Sequence, residues 1–169
     1  MELPLLILFL VIVIGAPLLK GYLNQKAANF GAQAGKKFAA KRLPAALELL
    51  GGTVRLHTSA EAAQQIVEEA MGHKPKRYTT LAPGRYTMQA IDKDDVTFAL
   101  APVTGGIELR IVRIKEHMGF PQGAVYWPDL RAAVVKAAEA RGVATTEAAV
   151  TFARTEPLSE RDWAWTVTD

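Results

Sequence analysis

The chain has 169 residues, no cysteine and a formal net charge of +3, which allows one membrane anchor and one modest domain and excludes a disulfide framework or thiolate metal site. The positive charge is local: Lys20, Lys26, Lys36, Lys37, Lys41 and Arg42 precede Pro44 with no acid among them, and once that block and Glu2 are set aside residues 45–169 carry −2. A slightly acidic folded part speaks against a nucleic-acid partner, because phosphate neutralisation needs cations on the folded surface.

The first element is the uncharged run at residues 3–19 (LPLLILFLVIVIGAPLL). As a helix it spans roughly 26 Å, near the lower limit for a bilayer core of about 30 Å, and the stems of Lys20 and Tyr22 extend it to the headgroups. It reads as a single-pass anchor over residues 1–23. A cleaved signal peptide would begin with a basic segment, whereas Glu2 is the only charged side chain ahead of the run. The six cations that follow hold their flank on the cytoplasmic side, so the expected topology is N-terminus outside and C-terminal domain in the cytoplasm of a cell-membrane protein. The same cations are the expected contact to anionic lipid headgroups.

Residues 24–44 form a basic juxtamembrane helix or tether. Leu23, Ala27, Phe30, Ala34 and Phe38 share a helical face, and Gly31 with Gly35 would let another helix approach closely. The short span, the break at Gly15-Ala16-Pro17 and the basic amphipathic segment together resemble the twin-arginine translocase TatA/TatB proteins over the first forty or so residues. The Phe-Gly-Pro hinge of that family is missing, a folded domain replaces its disordered tail, and the resemblance implies no site residues here.

Pro44 marks the expected domain boundary, and residues 45–169 read as an α+β domain. A short helix at 45–50 ends at Gly51-Gly52, and residues 53–57 alternate as a strand. Thr58 and Glu61 make a capping box for a helix running to about residue 71. Four strands follow at 77–81, 85–91, 95–101 and 107–115. Their connections are too short for crossover helices, so they pair as an antiparallel meander. In the last of them Ile107, Leu109 and Ile111 share a side whereas Val112 and Ile114 oppose it, which predicts a bulge near Ile111 or burial of both faces. Residues 116–128 (EHMGFPQGAVYWP) form an apolar connection. Residues 129–141 form a helix with Pro128 in or near its first turn, and 149–154 and 163–167 are two closing strands around a loop at 155–162. The element order, with two or three helices packed on an antiparallel sheet, is that of helix-grip or TBP-like folds, a layout shared with START/Bet v 1-type ligand binders.

Catalytic chemistry is sparse. His57, His73 and His117 lie in no ligand spacing, and Asp92, Asp94 and Asp95 lack the spacing and the closing Glu of a calcium loop. Gly105-Gly106 lacks the continuation of a phosphate loop, and no Gly-x-Ser-x-Gly occurs. The expectation is a non-enzymatic protein without metal or cofactor, an accessory subunit docking on an integral membrane partner. The alternative is a tethered binder of a lipid or other apolar ligand. Either role points to Met118, Phe120, Tyr126 and Trp127 as contact residues, because large rings in a connection mark recognition surfaces.

Overall fold

The computed structural model describes residues 42–168. The apolar run at 3–19 and the cations from Lys20 to Lys41 lie outside the described residues, among which no helix is long and apolar enough to cross a membrane. Among the described residues the fold is α+β, with three helices and one antiparallel sheet.

Helix α1 covers residues 42–51 and buries Ala46 and Leu50. Pro44 therefore lies within the helix rather than at its border, since its fixed φ is already helical. The chain turns directly into β1 (Gly52–Leu56), where Val54 and Leu56 point into the core. Helix α2 (Ala60–Gly72) starts one position later than the Thr58 capping box implies. The Thr58 N–H is used in a turn to the Leu56 carbonyl, and the extended Ser59 becomes the cap, its hydroxyl accepting from the Ala62 N–H at 3.3 Å. Ala63, Ile66, Val67 and Ala70 form its buried stripe.

The meander is present as β2 (Tyr78–Ala82), β3 (Arg85–Met88), β4 (Val96–Val103) and β5 (Gly106–His117), all antiparallel. β3 ends earlier than its alternation suggests because the Asp95 carboxylate accepts from the N–H groups of Ala90, Ile91 and Asp92 and winds that segment into a turn. The phase slip in β5 is a bulge. Phe98 faces Ile111 while Thr97 faces Arg113, so Val112 is the extra residue, and Ile111 and Ile114 both reach the core.

The stretch at 116–128 is not a long open loop. Met118 (φ 55°) and Gly119 (φ 75°) turn the chain so that β6 (Phe120–Pro121) pairs back on the end of β5. Helix α3 (Trp127–Ala140) then begins earlier than expected and buries Trp127, Leu130, Val134 and Ala138. Three strands close the fold: β7 (Thr145–Ala149), β8 (Thr151–Pro157) and β9 (Trp163–Thr168).

β5 is long enough to hold β1 beside its first half, through Val54 against Leu109, and β9 beside its second, through Arg113 against Thr166. The path runs β2-β3-β4-β5-β1-β7, with β8 outside β9. α2 and α3 contact each other, α2 lying against β4 and β5 and α3 against β1 and β7. The centre of the core is aromatic. Phe98 stacks on Tyr86 at 5.3 Å, meets Trp127 at 5.6 Å, and takes the edge of Tyr78 at 6.2 Å. Pairs of this geometry add about 0.5–1.5 kcal/mol each beyond area burial.

Candidate interaction surface

The four ring and methionine positions of the 116–128 segment meet different environments. Met118 is 83% exposed at the tip of the β5–β6 hairpin. Phe120 is half-buried opposite His117. Tyr126 is half-buried beneath the Arg77 guanidinium, 3.6 Å from its ring centre. Trp127 is fully buried, and its indole N–H donates to the Gly52 carbonyl at 2.7 Å. No ring contact joins Phe120 to Tyr126 or Trp127 among the described residues. The structure therefore does not assemble the four into one patch. Trp127 seals the domain's own interior, and Met118 is the member most open to a partner.

At the start of this segment, Glu116 is buried and accepts four hydrogen bonds. It accepts from Arg154 at 3.0 and 2.7 Å, from the Trp163 N–H at 2.9 Å and from the Trp165 indole at 2.7 Å. A buried carboxylate on β5 that accepts four hydrogen bonds from donors on β8 and β9 fastens the three strands together. Two acids of the β3–β4 connection are likewise in use. Asp95 holds the turn described above, and Asp94 pairs with Lys115, whose hydrogen bond lowers the Asp94 pKa.

The histidines do not converge. His57 bonds the Gly105 carbonyl and the Thr146 hydroxyl, His73 caps α2, and His117 is exposed at the end of β5. Among the described residues no group of three or more His, Asp and Glu could hold a metal ion. Of the basic residues expected to meet lipid, Lys20, Lys26, Lys36, Lys37 and Lys41 lie outside the described residues, and Arg42 is exposed in α1.

What the structure does assemble is a basic surface around β2 and β3. From Ala70 to Ile91 the chain holds Lys74, Lys76, Arg77 and Arg85 and no acid. An open cleft of about 340 Å³ is lined by Lys74, Pro75, Lys76, Arg77 and Gln89. Arg77 fixes one wall by donating to the Gln89 carbonyl at 3.1 Å while stacking on Tyr126, and Lys74 is steadied by Asp129 at 3.2 Å. Leu81 (56% exposed) and Ile91 (50%) supply apolar surface in the same stretch. Cations with interspersed apolar side chains can bind an acidic chain or an anionic surface. Sequence reasoning passed over this feature, although the missing acids were countable from composition alone.

Comparison with known family models, with curated proteins and with solved structures gives no match.

Proposed function

We propose that this chain is a single-pass, membrane-anchored accessory subunit without catalytic activity, whose C-terminal domain lies in the cytoplasm and docks on a larger membrane protein assembly. The observation that carries the reading is the filled interior. Tyr86, Phe98 and Trp127 close the space between sheet and helices where a helix-grip ligand binder would keep its cavity. Binding surface is then offered outside the domain, which favours a docking role over carriage of an apolar ligand. The uncharged run at 3–19 and its basic flank support the anchor and its orientation. We read the packing of α2 and α3 on one face of the sheet as a compact helix-grip-like arrangement.

Two measurements test this. A C-terminal reporter active only in the cytoplasm should give signal, and purification from mild detergent should yield a stoichiometric complex with an integral membrane protein. Signal from an externally active reporter overturns the topology. A monomer carrying extracted lipid overturns the docking role.

A further inference from the structure

The open edge of the sheet at β2 carries the inference. Among the described strands β2 pairs only with β3, and Thr79, Thr80, Leu81 and Ala82 are all exposed. A strand with one neighbour turns alternate N–H and C=O groups outward and is a template for an added strand. Proteins guard such edges by placing charge within them. β7 carries Glu147, and β8 carries Arg154 and Glu156. β2 has no charged residue along its length. Its cations stand just beyond its ends, Lys76 and Arg77 before it and Arg85 after the turn, and neither Lys76 nor Arg85 forms an ion pair among the described residues.

We propose that the β2 edge docks an extended acidic segment of a partner protein, which adds as a strand beside Tyr78–Ala82. Main-chain hydrogen bonds along the edge supply strength, and side-chain contacts supply choice. The partner's carboxylates meet Lys76 and the cleft at one end of β2 and Arg85 at the other, and an apolar side chain lies on Leu81. A second copy of this chain is disfavoured as occupant. Antiparallel self-pairing of β2 would bring Lys76 and Arg77 of one copy to Arg85 of the other, cation against cation. The inference deepens the docking role and rests on that reading, since it names the chemistry of the segment that is held.

The test uses the full-length chain in neutral detergent and a labelled peptide Glu-Glu-Val-Thr-Val-Thr-Glu-Glu, with a counterpart in which every Glu is Lys. The acidic peptide should bind, more tightly at low salt, and should slow amide exchange within Tyr78–Ala82. The double variant Lys76→Glu, Arg85→Glu should melt like the parent, weaken the acidic peptide about tenfold or more, and prefer the Lys peptide. Absence of binding, equal binding of both peptides, unchanged affinity in the double variant, or protection elsewhere than β2 overturns the proposal. Anionic phospholipid vesicles that displace the peptide and protect the same amides also overturn it, because the surface would then be one for lipid. The peptide assay needs neither the topology nor the native complex, so its failure is separable from failure of the docking role.

Discussion

Replacing Trp127 by alanine tests whether the 116–128 segment seals the domain or serves a partner. The side chain is fully buried, its ring lies 5.6 Å from that of Phe98, and its N–H satisfies the Gly52 carbonyl where α1 passes into β1. Loss of a buried tryptophan costs about 3–5 kcal/mol, and a carbonyl left without its donor adds about 1 kcal/mol. Against a typical total of about 5–15 kcal/mol, that is a large share of the stability. For a domain of this size the combined loss of about 4–6 kcal/mol should lower the melting point by roughly 15–22 °C. Trp127→Phe keeps most of the ring and loses the hydrogen bond, so it should cost about 1–2 kcal/mol. Met118→Ala, at the exposed hairpin tip, should stay within about 0.5 kcal/mol. Far-UV circular dichroism melts of the three variants of the full-length chain give the comparison. The reasoning fails if Trp127→Ala melts with the parent, or if Met118→Ala destabilises as much as Trp127→Ala does.

Three further expectations are independent of that one. Glu116→Gln removes the charge that pairs with Arg154 and sets an amide N–H₂ against either the Trp163 N–H or the shared Arg154 and Trp165 donors, and should cost about 2–4 kcal/mol in urea denaturation; a cost under about 0.5 kcal/mol would remove Glu116 as the fastener of β5, β8 and β9. Burial pushes the Tyr86 phenol up to about 12. Because the neutral form is the one favoured by folding, its share of stability, up to about 3 kcal/mol, is fully held below pH 10 and lost as pH rises from about 10 to about 12. Tyrosinate absorbance of Tyr86→Phe against the parent checks this, and titration of the parent's phenol at an ordinary pH would refute it. A peptide of residues 20–44 should bind anionic vesicles, at up to about 1 kcal/mol per cation, and release in high salt; equal binding to neutral vesicles would assign its affinity to Phe30, Phe38 and their apolar neighbours.

The parts of the fold legible in the sequence are those set by neighbours along the chain. The meander follows from Ala82-Pro83-Gly84, Asp92-Lys93-Asp94 and the Gly105-Gly106 turn, each too short to bridge anything but adjacent antiparallel strands. The bulge at Val112 showed as a slip of alternation because a core face must be kept on one side. What stayed hidden depends on distant partners. Trp127 reads as a loop ring until Gly52, far back in the chain, offers its carbonyl. Gly123 lets the loop lie so close to Val96 and Met88 that a Cβ there would sit 2.6 and 2.8 Å from their side chains, and its φ of 90° also favours glycine. β7 has little apolar alternation of its own and exists because β1 provides a ladder for it. The cap of α2 lies one residue beyond the expected Thr58, because Thr58 and Ser59 are chemically similar caps and the turn to Leu56 separates them.

The candidate surface is half legible in the sequence, and the rings of residues 116–128 are the more conspicuous feature. A large ring in a connecting segment has two fates, burial or recognition, and composition does not distinguish them. The fold sends Trp127 inward, folds Tyr126 under Arg77, and leaves Met118 on a hairpin tip. The absence of acid between Ala70 and Ile91 is visible as a count, yet the proposed docking role also needs a strand within it that has no second neighbour among the described residues. That condition is set by where the sheet ends. Among the described strands the path terminates at β2, and the segment that leads into it, Lys74–Arg77, is a turn held by the Lys74 N–H on the Met71 carbonyl and the Arg77 N–H on the Lys74 carbonyl. Charge at the ends and none in the middle then has a physical consequence at this position. It opposes pairing between like copies, leaves the main chain of the edge accessible, and rewards a segment of opposite sign.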